Sequence, residues 1–422
     1  MRLTLDNGEV VLDASGGAAV ACLGHGNARV AAAIGAQAGR MAYAHTGFFS
    51  SEPAEALAEL LVGHRPGGLT HAFFVSSGSE AVESALKLAR QYHVERGEPQ
   101  RDHFVSRRQS YHGASLASLA VGGNLGRRRP YEDILMANVS RVSPCFPYHG
   151  QGVDEPDAAY VARLAKELEE EFVRIGPQKV IAFIAETVVG ATAGCVTAVP
   201  GYFAAVREVC DRHGVLLILD EIMCGMGRAG TVHAWEQEGV VPDIQVIAKG
   251  MGGGYVPIGG LLVSARVIAG LSGGSGVFVH GHTYQAHPVA CAGALEVQRI
   301  IAEEGLVARA ALRGEVLRRR LEEALGEHPN VGDIRGRGLF LAVEFVEDRV
   351  LRRSFPAVAR VHERVKTEAL GAGVAVYPSG GTVDGVVGDH ALIAPPYNVT
   401  EREIDEIVER FAVAVARVFA SR

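Results

Sequence analysis

The hydrophobic and polar positions of this chain follow two alternating periodicities from about residue 70 to residue 300. Short apolar runs bounded by polar residues or glycine are typical of buried strands, and they occur at 71–75, 180–185, 215–219, 244–248 and 260–263. Between these runs, apolar residues recur at helical spacing in the segments 80–96, 158–175 and 202–213. Strands that alternate with helices predict an α/β fold, with a mostly parallel sheet flanked by helices on both faces.

The pattern changes after residue 305. A long helical stretch rich in arginine and glutamate covers 306–325, and a strand-like run follows at 339–345. Thr400 and Glu403 have the spacing of a capping box, which predicts a terminal helix reaching about residue 419. We therefore expect a large domain of residues 46–305 and a smaller α+β domain built from residues 1–45 together with 306–422.

Composition narrows the class of protein. The chain has 422 residues, 48% of them hydrophobic, and a formal net charge of -7, which suits a large globular protein better than one that binds nucleic acid or membranes. No apolar run reaches the roughly 18 to 20 residues of a membrane span, and the first residues lack a signal-peptide stretch. The basic run Arg127–Arg129 is interpreted as a solvated loop.

The cysteines and histidines of the chain bear on its redox compartment and on metals. The six cysteines lie far apart, with no CxxC pair. The histidines show no spacing typical of a metal site, so we expect no bound metal. Scattered thiols of this kind favour reduced cysteines in a cytoplasmic protein.

Lys249 is the most informative single residue. It is one of only five lysines, and it directly follows the predicted strand 244–248 and precedes the glycine-rich segment 250–254. A lysine at the mouth of a buried strand is poorly hydrated, which favours its neutral, nucleophilic form. Such an amine is suited to forming a Schiff base with a carbonyl compound or with pyridoxal phosphate. The alternative is a structural lysine whose stem lies along the strand end and whose charge reaches solvent.

Carboxylates follow two other predicted strands. Asp220 comes directly after 215–219, and Glu186 directly after 180–185. A carboxylate at such a place requires a cationic partner. The partner of Asp220 is either an arginine or the pyridinium nitrogen of pyridoxal phosphate, and in the second case the protonated ring withdraws electrons from the substrate. Glu186 is predicted to have a supporting role near that ring.

Two further segments could hold parts of a cofactor. Residues 76–80, which read SSGSE, lie between a predicted strand and a predicted helix, where free amides and the helix dipole favour a phosphate. A plain serine N-cap is the alternative. Tyr111 and His112 follow a strand-like run near residues 104–105, and an aromatic ring there could stack on a planar cofactor.

One motif favours a different function. Residues 225–230 read GMGRAG and match GxGxxG, a fingerprint of dinucleotide-binding oxidoreductases. However, five residues separate these glycines from the preceding strand, and no amphipathic helix opens after Gly230. No strand ends in an acidic residue about 20 positions further on, as ribose binding requires. The nicotinamide-dependent oxidoreductase is therefore the weaker alternative.

Taken together, seven segments resemble the class III pyridoxal-phosphate aminotransferases across nearly the whole chain. They are SSGSEAVESALKLAR (76–90), SYHG (110–113), LILDEIMCGMGRAG (217–230), AKGMGGG (248–254), GHTYQAHP (281–288), IRGRGLF (334–340) and APP (394–396). The resemblance implies a fold-type I enzyme with a seven-stranded sheet. It also implies a homodimer with active sites at the subunit interface, with a tetramer as the alternative assembly. The implied reaction is a transamination between small-molecule amine and oxo-acid substrates.

The resemblance also assigns roles to residues. Lys249 would be the Schiff-base lysine that moves a proton, and Asp220 the partner of the ring nitrogen. Thr283 would reach the phosphate in the neighbouring subunit, and Arg335 would bind a substrate carboxylate. The remaining residues implied to contact the cofactor are Ser77, Gly78, Ser79, Tyr111, His112, Glu186 and Ile222.

Departures from the family pattern concern the substrate. Ala191 stands where relatives that use 2-oxoglutarate carry a second glutamate, and Met223 replaces a frequent glutamine. Both changes resemble the subgroup that transfers amino groups from amines and ω-amino acids to pyruvate. The mobile arginine that some pyruvate-dependent ω-transaminases place before the APP segment is not evident in residues 376–381, which read VYPSGG. The group that binds the acceptor carboxylate is therefore left open. A decarboxylase, aminomutase or racemase would share this cofactor site, and a non-catalytic binding protein could share the fold.

Overall fold

A computed structural model describes residues 1–420, so residues 421 and 422 of the expected small domain lie outside the described part of the chain. The strands are β1 (Arg2–Thr4), β2 (Val10–Asp13), β3 (Leu69–Val75), β4 (His103–Arg107), β5 (Val139–Val142), β6 (Val180–Glu186), β7 (Val188–Val189), β8 (Val196–Thr197), β9 (Leu216–Asp220), β10 (Ile244–Ile247), β11 (Gly259–Ser264), β12 (Val331–Arg337), β13 (Phe340–Phe345), β14 (Val374–Ala375), β15 (Tyr377–Gly380) and β16 (Asp389–Ile393). The helices are α1 (Gly16–Ala19), α2 (Ala28–Arg40), α3 (Glu52–Val62), α4 (Gly78–Glu95), α5 (Leu116–Val121), α6 (Leu125–Arg128), α7 (Pro147–Gly150), α8 (Asp157–Ile175), α9 (Tyr202–Arg212), α10 (Ala265–Ser272), α11 (Pro288–Glu303), α12 (Leu306–Leu325), α13 (Val361–Gly371) and α14 (Glu401–Ala420).

The central element is a seven-stranded sheet with the order β3-β11-β10-β9-β6-β4-β5. Strands β10, β9, β6, β4 and β5 are parallel neighbours. Strand β11 runs antiparallel to both β3 and β10. The five apolar runs recognised in the sequence all lie in this sheet, which confirms the mostly parallel α/β fold.

Helices cover both faces of the sheet, and alternate residues of each strand pack on opposite sides. In β9, Leu217 and Leu219 belong to the apolar core under α3, α8, α9 and α11. Leu216 and Ile218 point the other way, into the core under α4 and α10. Because both faces are buried, the strands are apolar throughout, as expected for a parallel sheet.

A second group of elements joins the two ends of the chain. Strand β2 pairs with β14 in a small sheet with β1, so that Leu12 lies opposite Val374. Strands β12-β13-β16-β15 form a separate antiparallel sheet. Helices α12 and α14 pack in the same apolar core as Leu12 and residues of these sheets.

The capping box predicted for the terminal helix is confirmed. The amide of Glu403 donates to Thr400 Oγ1 at 3.3 Å, and the amide of Thr400 donates back to Glu403 Oε2 at 2.9 Å. These two bonds satisfy donors that the first turn of α14 leaves without intrahelical partners, and they explain why the helix begins at Glu401.

Among residues 1–420, no helix is both long and apolar enough to cross a bilayer. The same residues contain no group of three or more histidine, cysteine, aspartate or glutamate side chains that could hold a metal ion. All six cysteines are buried free thiols.

The sheet brings the polar residues that follow its strands to one edge. Glu186 lies directly opposite Asp220 in the β6–β9 pairing, and Asp220 lies opposite Val246 in the β9–β10 pairing. Because β3 and β10 are both antiparallel to β11, they run in the same direction, so the segment after Val75 reaches the same edge. The carboxyl edge of a parallel sheet is where α/β folds bind their ligands.

Candidate active site

A cavity of about 300 Å³ lies at this edge. Its walls include most of the residues that the sequence singled out, together with apolar residues from several other segments. The lining residues are Val20, Ser76, Ser77, Gly78, Ser79, Tyr111, His112, Gly113, Glu186, Val188, Ala191, Asp220, Ile222, Met223, Ala248, Lys249, Val256, Pro257 and Ile258.

Lys249 lines the cavity just beyond β10, at the start of a 3₁₀ turn, Lys249–Met251. Its φ of 44° is in the left-handed region, which is unusual for a long side chain. The turn is held by the amides of Gly252 and Gly253, which donate to the Lys249 carbonyl at 3.1 and 2.9 Å. Strained backbone of this kind is concentrated at functional sites.

The amine of Lys249 is prepared for nucleophilic chemistry. Burial lowers the pKa of Lys249, and the negative charges of Asp220 and Glu186 oppose this shift only in part. Within residues 1–420 no hydrogen bond or ion pair engages its Nζ atom. A neutral amine without a partner, facing a cavity, can attack a carbonyl carbon or accept a proton.

Asp220 is held by two hydrogen bonds at the end of β9. The Nδ1 atom of the buried His112 lies 2.8 Å from Asp220 Oδ2, and the amide of Ile222 donates to Oδ1 at 3.0 Å. No arginine pairs with Asp220 among the described residues, so the simple arginine ion pair is not its structural role. The His112 Nε2 atom is buried without a hydrogen-bond partner in residues 1–420. The carboxylate is thus oriented by the protein and faces the cavity.

Glu186 supports the wall that carries Tyr111. Its Oε1 atom accepts from the amide of Tyr111 at 2.9 Å, and its Oε2 atom accepts from the amide of Gly190 at 3.0 Å. Burial raises the pKa of the Glu186 carboxyl, and the charge of Asp220 adds to this effect. Glu186 therefore fixes the backbone of the residue whose ring lines the cavity.

The N-terminus of α4 presents free amides to the cavity. Ser77 is the N-cap, and its Oγ atom accepts from the amide of Glu80 at 3.2 Å. The Oγ atom of Ser79 accepts from the amide of Ala114 at 3.0 Å. The amides of Gly78 and Ser79 have no acceptor within residues 1–420. The serine cap and a phosphate site therefore coexist at this helix terminus.

These residues fit pyridoxal phosphate. The free amides of α4 suit the phosphate, the Asp220 carboxylate suits a protonated ring nitrogen, and Lys249 supplies a free amine. The space between them also depends on the absence of a side chain at Gly78, where a Cβ atom would lie 2.9 Å from Ile222 Cδ1.

Two residues with implied roles lie away from this cavity. Thr283 is exposed to solvent on the segment before α11 and is not a lining residue. Arg335 is buried in β12, where its Nε and Nη2 atoms donate to the carbonyls of Gly194 and Ala193 at 2.7 and 2.5 Å. Its Nη1 atom pairs with Glu344 at 2.6 Å and with Asp333 at 2.9 Å. The structure therefore does not bring Thr283 or Arg335 together with Lys249 in one chain.

Several lining residues had no assigned role in the sequence. Val256, Pro257 and Ile258 could have been suspected, because they follow the glycine-rich segment after Lys249. Val20 and Val188 carry no chemical signal, and their place in the wall results from tertiary contacts. They add apolar surface to the cavity wall.

The glycines of the GxGxxG motif have a packing role. A Cβ atom at Gly227 would lie 3.1 Å from Val307 Cγ2, and one at Gly230 would lie 3.1 Å from Ala311 Cβ. Both glycines have positive φ values, of 96° and 94°. They allow helix α12 to approach the chain closely. The motif does not open a helix, as a dinucleotide site requires.

Comparison with known proteins identifies the family. The model of the family "Aminotransferase class-III" matches residues 1–415. An uncharacterized aminotransferase of Schizosaccharomyces pombe is 50% identical over 99% of this chain and 91% of its own length. A diaminobutyrate–2-oxoglutarate transaminase of Halomonas elongata is 35% identical over 99% and 89%. A putrescine–pyruvate aminotransferase of Pseudomonas aeruginosa is 31% identical over 95% and 85%.

Solved structures agree with this assignment. An amine transaminase from an uncultivated Pseudomonas species, in its PLP-bound form, superposes with a TM-score of 0.92. It is 36% identical and covers 99% of this chain and 93% of its own. The match in fold extends over the cavity and the elements that surround it. The chain therefore belongs to the class III aminotransferases and is a transaminase that uses pyridoxal phosphate.

Proposed function

We propose that this transaminase moves an amino group from an amine or ω-amino acid to pyruvate. The carrying observation is the lining of the cavity, which contains no arginine among the described residues and is apolar at Val20, Val188, Ala191 and Met223. The second carboxylate of 2-oxoglutarate would lose hydration in such a wall without gaining a cation. Pyruvate has one carboxylate and a methyl group that suits the apolar wall.

The relatives support a transamination but differ in the acceptor for which they are named, so the acceptor must be inferred from the side chains of the cavity. One relative is named for pyruvate and another for 2-oxoglutarate, at 31% and 35% identity. The structural neighbour is named an amine transaminase. Ala191 and Met223 both line the cavity, so the two departures noted in the sequence bear directly on the substrate. No observation in the cavity favours a decarboxylase or an aminomutase.

We propose the following roles for the residues of the site. Lys249 would hold the cofactor through Nζ, and its free amine would accept a proton from the substrate carbon. The lowered pKa of Lys249 suits this transfer, because the neutral amine is the proton acceptor. Bound pyridoxal phosphate supplies an electron-withdrawing ring that stabilises negative charge on the substrate carbon. Asp220 keeps the ring nitrogen protonated, and His112 orients Asp220.

The remaining lining residues position the cofactor. The amides of Gly78 and Ser79 donate to its phosphate at the N-terminus of α4. Tyr111, whose amide is fixed by Glu186, would stack on the cofactor ring, and Ile222 would pack against that ring. These contacts hold the ring still while the proton moves at Lys249, which favours one reaction path.

We further propose a homodimer with shared active sites. Phe48 and Phe49 are 81% and 67% exposed, and Tyr284 is 60% exposed. The segments that carry them are neighbours, since Gln285 Nε2 donates to Thr46 Oγ1 at 2.6 Å, and the ring centroids of Tyr43 and Tyr284 lie 6.1 Å apart in an edge-to-face contact. Apolar exposure of this kind marks a protein–protein interface. The exposed Thr283 lies in this surface and would reach the phosphate in the second copy.

We also propose that the chain forms two domains and that the protein is located in the cytoplasm. The pairing of β2 with β14 supports a small domain of residues 1–45 and 306–422, next to a large domain of residues 46–305. Six buried free thiols support a reducing compartment, and we propose the cytoplasm.

The acceptor can be identified by a spectral experiment. We expect amines and ω-amino acids to bleach the absorbance band of the lysine-bound cofactor, because the amino group passes to the cofactor. Pyruvate should restore the band, and 2-oxoglutarate should not, since its second carboxylate has no partner in the cavity. Recovery with 2-oxoglutarate alone would contradict the proposed acceptor. Carbonyl product formed without any oxo acid would instead indicate decarboxylation or elimination.

Gly78→Ala should weaken cofactor binding modestly, by about 2- to 10-fold. The new Cβ would lie 2.9 Å from Cδ1 and 3.3 Å from Cγ2 of Ile222, and because Cδ1 ends a flexible side chain, Ile222 can shift within the cavity wall at a cost of about 1 kcal/mol. The dissociation constant for pyridoxal phosphate can be measured by absorbance titration. Gly35→Ala is the matched control, because that helical position has nothing within 4 Å of a new Cβ. Equal affinities of the two variants would show that Gly78 is not part of the cofactor site.

A further inference from the structure

The cavity does not contain a cation for the carboxylate of an oxo acid. Lys249 is committed to the cofactor, and His112 is bound to Asp220. The other charged lining residues are Glu186 and Asp220, which repel a carboxylate. A substrate carboxylate entering a partly enclosed site requires a charge-assisted partner. That partner must therefore come from outside the lining residues.

Arg335 is not free to serve. Burial acts to lower the pKa of Arg335, but the charges of Glu344 and Asp333 outweigh this effect and raise it. The Glu344 side chain is fully buried, so withdrawal of Arg335 would leave a buried charge with only His149 as a partner. Removing one partner of a buried pair is strongly unfavourable. The substrate would have to supply that free energy at each turnover.

Arg127 is in the opposite situation. Its side chain is exposed, and within residues 1–420 no hydrogen bond or ion pair engages its guanidinium group. The Cζ atom lies over the ring of Tyr111, 4.8 Å from the centroid. Tyr111 lines the cavity, so this unpaired guanidinium, which is not itself a lining residue, contacts a side chain of the cavity wall. Its charge also reaches the reaction centre, since it adds to the effect of burial in lowering the pKa of Lys249.

The backbone of Arg127 is fixed while its side chain is free. Asn124 caps α6, and its Oδ1 atom accepts from the amide of Arg127 at 3.0 Å. Leu125 packs against Gly385, at which a Cβ would lie 3.2 Å from Leu125 Cβ. The next residue, Arg128, is buried and pairs with Glu132 at 2.8 Å. The Arg127 guanidinium is therefore able to pivot about an anchored backbone.

We propose that Arg127 binds the carboxylate of the oxo-acid acceptor and of the corresponding α-amino acid. The planar guanidinium can donate two parallel N–H bonds to a carboxylate, while the ring of Tyr111 supports its face. A carboxylate-free amine does not use this contact. This inference rests on the proposed function and adds the group that selects the carboxylate. It also favours a monocarboxylic acceptor, because one free cation matches one carboxylate.

The test compares Arg127→Ala with Arg129→Ala in the holoenzyme. Arg129 is exposed in the same basic run and has no ring contact with Tyr111 in the described residues, so its removal controls for lost charge. The specificity constant for L-alanine, divided by that for 1-phenylethylamine, should fall roughly 10- to 100-fold in Arg127→Ala, the loss of one charge-assisted contact. In Arg127→Lys this ratio of specificity constants should fall less, because lysine keeps the charge but cannot donate the two parallel bonds.

A binding measurement without turnover completes the test. Calorimetry should show propionate, an unreactive carboxylate, binding about 10-fold or more weakly to Arg127→Ala than to wild type or Arg129→Ala. Propionamide, which lacks the charge, should not distinguish the three proteins. Equal propionate binding by wild type and Arg127→Ala, or a specific loss in Arg335→Lys instead, would overturn the role of Arg127. Absence of turnover with every oxo acid would contradict the proposed function itself, which is a separate result.

Discussion

Lys249→Ala should abolish turnover, with a fall in rate of roughly 10⁴-fold or more. In the role that we propose for it, the side chain would supply both the covalent attachment of the cofactor and the base that moves the substrate proton. No other amine lines the cavity among the described residues, and water is a poor base at neutral pH. Steady-state transamination with an amine donor and pyruvate measures the effect. Borohydride treatment of the wild type, followed by mass spectrometry, should place the pyridoxyl group on Lys249.

Lys366→Ala is the matched control for this experiment. Lys366 is exposed on α13 and lies outside the cavity lining, so Lys366→Ala should turn over at the wild-type rate. A Lys249→Ala enzyme that still completes many turnovers would show that another group carries the proton. A fold check by circular dichroism is needed only if cofactor binding is lost together with activity.

Asp220→Asn should lower the rate roughly 100- to 1,000-fold, the scale for removing one preorganised electrostatic partner. The carboxylate favours the protonated ring nitrogen, and the neutral amide does not. Asparagine keeps nearly the same shape and can still hydrogen-bond His112, whose Nδ1 atom lies 2.8 Å from Oδ2. The loss should therefore fall on kcat and leave the thermal unfolding temperature nearly unchanged. Stopped-flow measurement of the first half-reaction isolates this step.

Asp154→Asn provides the control, since Asp154 is an exposed loop residue far in sequence from the site. Turnover of Asp220→Asn at the wild-type rate would refute the role at the ring nitrogen. A large loss of unfolding temperature would point instead to a structural role of the buried Asp220–His112 contact.

The two effects have a common origin in the sheet. Asp220 is the last residue of β9, Lys249 lies just beyond the adjacent parallel strand β10, and Glu186 is the last residue of β6 on the other side of β9. Parallel strands end at the same edge, so residues distant in sequence meet without long loops. Burial at this edge lowers the pKa of Lys249 and raises that of Glu186. The fold thus makes a reactive amine and a preorganised carboxylate neighbours.

Much of this edge follows from local sequence pattern. Continuous apolar runs can be satisfied only by a sheet buried on both faces, and the helical segments between them set parallel order. A charged residue directly after such a run must lie at the sheet edge, which identified Asp220, Glu186 and Lys249. The cap at Ser77 is likewise local, because its partner Glu80 is three residues away.

Only the tertiary structure determines which segments that are distant in sequence come into contact. The sequence does not reveal that β11 runs antiparallel within the sheet, because strand direction depends on the path of the connection and not on side-chain pattern. Val20 enters the cavity from the N-terminal segment for the same reason.

Arg335 and Arg127 illustrate the difference between what the sequence predicts and what the tertiary structure determines. By sequence, Arg335 was the candidate for the substrate carboxylate, and Arg127 belonged to a solvated basic loop. The fold pairs Arg335 with Glu344 and places Arg127 over Tyr111, where no acidic side chain of residues 1–420 pairs with it. Sequence alone determined that this chain is an α/β protein with a lysine and a carboxylate at one sheet edge. Which cation stays free is decided only by tertiary structure, because an ion pair forms between groups that folding brings together from distant positions.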